Sequence, residues 1–309
     1  MVWRKLWRKL KIFLEMIKFE HTLFALPFAY VGALLVQKEI PPGPDLFWIT
    51  LAMVSARTAA MALNRLIDLP IDAANPRTAN RALPRGLLSV REVWLCIILS
   101  FGLLLFSAAR LSPLALALSP GAVAVLSFYS YTKRFSWACH LFLGFALSLA
   151  PVGAWVAIAN RVDLAPLLLG AGVVFWVAGF DIIYACDDYD FDRRYGIYSI
   201  PARFGIKKAL GLAAAFHLTA AAFFLAVAFF LRLGFFYYAG LAVAMMLLFK
   251  QHRLVSPDDL SRAGVAFFNL NGALSVTVFI FTLLDVLFPV NVPSLASNLN
   301  NLISFAIFR

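Results

Sequence analysis

The stretch Asp181-Ile-Ile-Tyr-Ala-Cys-Asp-Asp-Tyr-Asp-Phe-Asp192 places five carboxylates at the end of a strongly apolar run. Carboxylates at the end of a hydrocarbon-buried helix are costly unless a cation pairs with them or a metal binds them. On a helix, Asp181, Asp188 and Asp192 share one stripe, because they are spaced i, i+7 and i+11. The pattern therefore predicts an apolar helix that ends in a metal-binding face.

The composition around this stretch is that of a membrane protein. Of 309 residues, 62% are hydrophobic and 14% are charged, with a mean hydropathy of +0.85, whereas soluble domains carry about 25% charged residues. Nine apolar runs approach the length of a membrane span, namely 21–36, 46–67, 93–109, 113–131, 138–159, 165–184, 209–231, 235–249 and 264–288. We therefore expect an all-α, polytopic membrane protein with nine transmembrane helices.

Residues 1–20 differ from the spans that follow. Six basic residues alternate there with tryptophan, leucine, isoleucine and phenylalanine, a pattern typical of an amphipathic helix that lies in the membrane interface. The predicted organisation is thus an interfacial basic segment over residues 1–20, a transmembrane domain over residues 21–288 and a C-terminal tail over residues 289–309.

The basic residues also predict the orientation. Counted in alternate loops, 21 of the 27 lysines and arginines fall on the side of the N-terminus. The positive-inside rule therefore places the N-terminus and the acidic clusters on the cytoplasmic side of the inner, cytoplasmic membrane. The net charge of +11 is then explained by topology and gives no support for nucleic-acid binding.

A second acidic cluster follows the second apolar run. Asn64 and Asp68 lie one turn apart, and Arg57 lies two turns deeper on the same helical face. Pro70 disfavours a continuing helix, so we expect Asp72 in a bend or just past the helix end. Four spans separate the two clusters, which hints at a duplicated four-helix unit whose acidic ends face each other across a central cavity, under a polar cap.

Such a constellation suits the binding of a diphosphate. Carboxylates bind magnesium, which keeps some of its waters and bridges to phosphate oxygens. Lys133 and Arg134, at the end of the fourth run, can balance the remaining negative charge on the same side. A polar cap over an apolar bundle fits a ligand with a charged head and a long hydrocarbon tail, and an isoprenoid diphosphate has this chemistry.

These motifs resemble those of the UbiA family of intramembrane prenyltransferases. The resemblance covers roughly residues 18–288, and it includes the Asn-Asp-Asp spacing from Asn64 to Asp72, although Pro70 departs from the family pattern. It also includes the second motif, 181–192, in which Phe191 stands where further acids are common, and the segments 129–134 and 196–199. Residues 17–28 resemble the 4-hydroxybenzoate polyprenyltransferase-like branch.

The resemblance implies transfer of a polyprenyl chain from its allylic diphosphate to an aromatic acceptor such as 4-hydroxybenzoate, in ubiquinone or menaquinone biosynthesis. It implies Mg²⁺ as the cofactor, held by Asp68, Asp72, Asp188 and Asp192 with help from Asn64. Fixed positive charge would stabilise the leaving group, and aromatic faces would stabilise the allylic cation. The substrate-binding residues implied are Arg57, Asn64, Tyr129, Lys133, Arg134, Asp181 and Tyr184.

The residues themselves leave alternatives open. Lys133 and Arg134 fit either phosphate binding or anchoring under the positive-inside rule, and the acids fit solvated loop charge as well as a metal site. A membrane transporter is a second class of function, although transporters usually hold their polar groups near the midplane. Within the enzyme class, the acceptor is either 4-hydroxybenzoate or a menaquinone precursor of the futalosine pathway.

Overall fold

The computed structural model describes the backbone of residues 2–290 and the side chains in this range other than 2–6, 21, 23–24 and 265–267. The described part is all-helical and contains no β-strand, which confirms the predicted class. Most of the predicted tail, 291–309, lies outside the described residues. The helices are α1 Val2–Met16, α2 Thr22–Gln37, α3 Gly43–Ile67, α4 Leu69–Ala74, α5 Val90–Leu111, α6 Pro113–Phe128, α7 Cys139–Ala159, α8 Leu164–Ala185, α9 Tyr189–Tyr195, α10 Ile200–Phe204, α11 Ile206–Leu231, α12 Phe235–Arg253, α13 Ala263–Val265 and α14 Asn271–Leu287.

The nine longest helices of the described part, α2, α3, α5–α8, α11, α12 and α14, coincide with the nine apolar runs. Seven segments are long and apolar enough to cross a membrane, and they contain all of these helices except α2 and α12. Helix α2 is apolar but short, and α12 ends in a basic turn. The chain is therefore a multi-span membrane protein, and the count of nine crossings stays a prediction.

Hydrogen bonds join the helix ends that lie opposite the acidic clusters. They connect the end of one helix to the beginning or end of another, so successive long helices run in alternating directions. The bonds are Lys38 Nζ to the Leu231 carbonyl (2.6 Å), Ser112 Oγ to the Val156 carbonyl (3.2 Å), the Leu114 amide to Asn160 Oδ1 (3.1 Å) and the Gly234 amide to Asp285 Oδ2 (2.8 Å). Both acidic clusters consequently lie at the other end of the bundle.

Helix α8 is the most buried of the spans and packs between α7 and α11. Its Trp176 is 1% exposed and lies 5.0 Å, centroid to centroid, from the ring of Phe28 on α2. Gly144 permits the close approach of α7, because a Cβ there would lie 2.3 Å from the Val174 carbonyl oxygen. Small residues at such crossings let the helix backbones approach closely in a membrane bundle.

Helix α1 lies against the first acidic half of the bundle. Phe13, Met16 and Ile17 are buried against residues of α3 and α5, whereas Trp7 remains 72% exposed. Lys9 forms an ion pair with Glu92 at the beginning of α5. One face of α1 thus docks on the bundle and another carries an exposed aromatic ring, as a helix in the membrane interface requires.

Candidate active site

The first acidic cluster is built on a break between two helices. Helix α3 ends at Ile67, and α4 begins at Leu69 with Pro70 in its first turn, where the missing N–H of proline costs no helical hydrogen bond. The break lies at Asp68, so the expected bend exists. Asp72 lies inside the new short helix and is buried, instead of lying in the bend or beyond the helix end.

Asp68 is 2% exposed and is surrounded by donors. Lys133 Nζ lies 2.6 Å from its Oδ2 and Arg134 Nη1 lies 3.2 Å from its Oδ1. Asn64 Nδ2 also donates to Oδ2, at 2.9 Å. The two cations after α6 therefore pair with the first acidic cluster, a partnership that anchoring at the membrane surface alone does not require.

The second acidic cluster is also built on a break. Helix α8 ends at Ala185, a 3₁₀ turn covers Cys186–Asp188 and α9 begins at Tyr189. The single helical stripe expected for Asp181, Asp188 and Asp192 is therefore interrupted. Asp192 is buried in α9 and accepts a hydrogen bond from Ser199 Oγ at 2.8 Å.

The loop after α4 connects the two clusters. Asn75 Nδ2 donates to Asp188 Oδ1 at 3.0 Å, and Arg77 forms a bidentate pair with the same carboxylate. Arg77 Nη1 also donates to the Tyr184 hydroxyl at 2.7 Å. Burial opposes charge on Arg77, but its hydrogen bonds to Asp188 and Tyr184 raise its pKa above the usual value. The two acidic ends, distant in sequence, thus meet.

Further contacts complete this polar end of the bundle. Arg81 Nη1 lies 2.7 Å and 2.8 Å from the two carboxylate oxygens of Asp72. The main-chain carbonyl of Lys133 accepts a hydrogen bond from the Tyr198 amide at 2.9 Å. The segment after α6, the loop after α4 and the segment after α9 therefore converge on the four motif aspartates.

An apolar cavity of about 450 Å³ opens beside the first cluster. It is bounded by α2, α3, α5, α6 and α7, and most of its lining residues are small or aliphatic. Arg57 and Tyr129 are its polar exceptions near the acidic end. Arg57 Nε is buried without a hydrogen-bond partner among the described residues, and its Nη2 only approaches the Lys18 carbonyl, at 3.5 Å. A cation of this kind is available for an anionic group of a ligand.

Asp181 lies apart from the other aspartates and is held by a residue without an assigned role. Its Oδ2 lies 2.7 Å from Nδ1 of His140, near the beginning of α7. Sequence reasoning also missed the parts played by Asn75, Arg77, Arg81 and Ser199. The basic segment directly after the first cluster was a usable signal for the two arginines, because buried carboxylates need cations nearby.

The carboxylate oxygens at this end of the bundle are ligands of the kind that magnesium binds. Among the described side chains, no three His, Cys, Asp or Glu residues gather as a cage for a metal ion. Magnesium does not need such a cage, because it is typically held by one or two carboxylates together with waters and phosphate oxygens. Asp68 with Asp72, and Asp188 with Asp192, are two carboxylate pairs of the required kind.

Comparison with known proteins agrees with this geometry. The profile of the UbiA prenyltransferase family matches residues 25–273. The chain belongs to this family. Among solved structures, the apo form of a UbiA homologue from Aeropyrum pernix K1 superposes with a TM-score of 0.79 and 37% identity, over 86% of this chain and 98% of that one. A UbiA homologue from Archaeoglobus fulgidus, bound to DMAPP and Mg²⁺, has the same fold at 22% identity, with a TM-score of 0.63 over 87% of this chain and 99% of that one.

Curated UbiA-family relatives are named 4-hydroxybenzoate octaprenyltransferase. The protein from Nitrosospira multiformis is 30% identical over 259 residues, which is 83% of this chain and 88% of the relative. The protein from Azotobacter vinelandii is 33% identical over 160 residues, 50% of this chain and 53% of the relative. The match thus spans about half the length of the latter.

Proposed function

We propose that this UbiA-family protein is a Mg²⁺-dependent polyprenyltransferase that transfers the chain of an allylic diphosphate to an aromatic acceptor. The observation that carries the proposal is the convergence of two acidic clusters and their cations beside an apolar cavity. A diphosphate suits the charged end, and a hydrocarbon chain suits the cavity. The homologue from Archaeoglobus fulgidus bound to DMAPP and Mg²⁺, and that protein bound to GPP and Mg²⁺, support the choice of donor and metal.

The polar end would hold the metal and the leaving group. Asp68, Asp72, Asp188 and Asp192, with Asn64, would hold Mg²⁺, which when bound neutralises the diphosphate and makes it a better leaving group. Four cations at this polar end are held by the carboxylates of the motif aspartates before the reaction, namely Arg77, Arg81, Lys133 and Arg134. They would stabilise the negative charge that develops on the diphosphate as its bond to carbon breaks.

The apolar side would protect the reacting carbon. The apolar cavity walls would keep water away from the allylic cation, which water would otherwise capture. The rings of Tyr129 and Tyr184 would face the cation, each worth about 0.5–2 kcal/mol. The lining of the cavity is apolar apart from Arg57, Tyr129 and Ser119. That lining suits a hydrocarbon and offers no acidic path across the membrane, so the transporter alternative gains no support.

The acceptor would lie beside the cavity near Arg57. This guanidinium, with its unpartnered Nε, suits the carboxylate of an aromatic acid such as 4-hydroxybenzoate. The names of the curated relatives support that acceptor, and a route to ubiquinone or menaquinone follows from it. Prenylation of a menaquinone precursor of the futalosine pathway is the alternative.

We further propose that the protein lies in the inner membrane with nine crossings, its N-terminus and the aspartates facing the cytoplasm. The lopsided distribution of lysine and arginine supports this orientation. The ends of the first and the last span, α2 and α14, both have hydrogen bonds on the side opposite the aspartates, which agrees with an odd number of crossings. The polar end would then be a cytoplasmic cap, accessible to a diphosphate made in the cytosol.

A product assay tests the proposal. The purified protein in proteoliposomes is incubated with Mg²⁺, geranyl diphosphate or a longer prenyl diphosphate, and either 4-hydroxybenzoate or a futalosine-pathway aromatic acid. Mass spectrometry should detect the prenylated acceptor in one of the two arms, and that arm identifies the acceptor. Release of diphosphate with no prenylated product from either acid would contradict the assignment.

A further inference from the structure

His140 is a buried histidine whose protonation is fixed by its neighbours. It is 2% exposed, and its Nε2 lies 3.2 Å from the main-chain amide of Ile200. A main-chain N–H can only donate, so Nε2 must hold a lone pair. The ring hydrogen is therefore on Nδ1, which donates it to Asp181 Oδ2 at 2.7 Å. His140 is thus a neutral imidazole that orients the carboxylate of Asp181.

Asp181 keeps one oxygen for another partner. Within the described part of the chain, its Oδ1 accepts no hydrogen bond, and its side chain is 23% exposed. Tyr184, one turn further along, contacts Arg77 of the loop after α4, so this face of α8 turns toward the first acidic cluster. Leu143 and Leu147, one and two turns beyond His140 on α7, line the cavity. Asp181 is therefore joined, through His140, to the helix whose next two turns line the cavity.

Asp181 and Arg57 both lie beneath the acidic clusters. Asp181 precedes Asp188 by seven residues, and Arg57 precedes Asp68, the first aspartate of the other cluster, by eleven residues. At 1.5 Å per residue, Asp181 lies about 10 Å and Arg57 about 16 Å beneath these aspartates. An unpartnered guanidinium nitrogen below a free carboxylate oxygen suits an aromatic acid bound between them. Its carboxylate would meet Arg57 and its ring would approach Asp181.

We propose that Asp181 is the base that removes the proton from the acceptor ring and that His140 is the residue that positions it. The inference rests on the proposed prenyl transfer. The allylic C–O bond breaks and its electron pair leaves with the diphosphate, while a pair of ring π electrons forms the new C–C bond. The ring C–H bond then breaks, its electron pair restores aromaticity and the proton passes to Asp181 Oδ1. No oxidant or reductant is needed.

The other nitrogen of His140 reaches the second acidic cluster. Ile200, bonded to Nε2, follows Ser199, whose hydroxyl donates to Asp192 at 2.8 Å. The two ring nitrogens therefore act on different parts of the site. Nδ1 holds the proposed base, Asp181, and Nε2 holds the segment whose Ser199 bonds to Asp192. Two substitutions of His140 separate these roles. In asparagine the side-chain amide nitrogen takes the place of Nδ1 and can still donate, whereas in glutamine the amide oxygen takes the place of Nε2 and can still accept.

The experiment compares His140→Gln, His140→Asn and wild type, with the acceptor that wild type prenylates in the product assay, deuterated at its ring carbons. Loss of the Nδ1 donor in His140→Gln should lower kcat about a hundredfold and expose a primary isotope effect, while calorimetric binding of geranyl diphosphate with Mg²⁺ stays near wild type. His140→Asn should keep most of kcat with no isotope effect but bind the diphosphate more weakly. His217→Asn, at an equally buried histidine bonded to His252 and Trp176, is the control and should show no isotope effect.

Asp181→Asn covers the possibility that the His140 variants fail to fold. Its amide oxygen still accepts from Nδ1, so it should keep its melting temperature and diphosphate binding and lose at least about a hundredfold in kcat. Substantial kcat in Asp181→Asn, or equal losses and no isotope effect in both His140 variants, would overturn the inference. A wild-type protein that prenylates no acid would overturn the proposed function as well, so the two failures are distinguishable.

Discussion

The four motif aspartates are each satisfied by a specific donor. Buried carboxylates are costly unless they are paired, and Asp68 and Asp72 are paired with cations from two different segments. Asp188 is paired with Arg77, and Asp192 accepts from a serine hydroxyl. Because breaking one member of such a pair leaves the partner uncompensated, the three paired aspartates both offer oxygen ligands and fix a cation beside the proposed diphosphate.

Arg57 gives a prediction at this scale. If its guanidinium binds the carboxylate of the acceptor, Arg57→Lys keeps the charge and loses the bidentate geometry. We expect the apparent KM for the aromatic acid to rise about tenfold, with little change in the KM for the prenyl diphosphate. Steady-state kinetics with each substrate varied in turn measures both constants.

Arg57→Ala provides the stronger form of the same test and should raise the acceptor KM further. A rise confined to the KM for the diphosphate would assign Arg57 to the donor. Unchanged kinetics in both variants, with an unchanged melting temperature, would leave this arginine only a structural role.

At the scale of elements, both acidic clusters lie where a long helix breaks and a short one begins. The break at Asp68 was predictable, because Pro70 cannot continue a helix from within its interior. The 3₁₀ turn at Cys186–Asp188 was not predictable, since no proline or glycine marks it. The pairing of Arg77 with Asp188 also could not be read from the sequence, because 111 residues separate the two and only the packing of helices brings them together.

Helix α7 gives a prediction about donor length. Gly153 lines the cavity, and a Cβ built on it meets no atom within 4 Å. Gly153→Leu should therefore fold normally and fill part of the cavity. We expect kcat/KM for a long prenyl diphosphate to fall about tenfold or more, and kcat/KM for dimethylallyl diphosphate to change little.

Gly102→Leu is the matched control for this change. Gly102 is exposed on α5, has the same open space around its Cβ and does not line the cavity. It should leave both donors unaffected. Equal losses for long and short donors in Gly153→Leu would contradict the assignment of the cavity to the hydrocarbon chain.

At the scale of the whole molecule, the apolar runs predicted the helices closely. The run 138–159 became Cys139–Ala159, and the run 113–131 became Pro113–Phe128 followed by a 3₁₀ turn. This agreement follows from the membrane, where main-chain groups must be satisfied within each helix. The side of the membrane that each end faces depends on charge in the loops, and it is open to a direct test.

The topology prediction uses single cysteines in a background without Cys96, Cys139 and Cys186. Asn80→Cys lies on the exposed surface of the loop after α4, and Val162→Cys lies in the exposed loop between α7 and α8. An impermeant maleimide should label position 80 only from the cytoplasmic side and position 162 only from outside. The opposite pattern would reverse the proposed orientation.

The central claim is that the two acidic clusters act together on one Mg²⁺-bound diphosphate. The most direct measurement compares wild type, Asp68→Asn and Asp188→Asn in the transfer of a radiolabelled prenyl chain. The acceptor is 4-hydroxybenzoate or the futalosine-pathway acid, whichever wild type accepts, and each protein is assayed with Mg²⁺ and with EDTA. We predict turnover that requires Mg²⁺ and falls at least about a hundredfold in each variant, with melting temperatures that show all three proteins folded. Turnover that persists in EDTA, or that survives in either folded variant, would contradict the account.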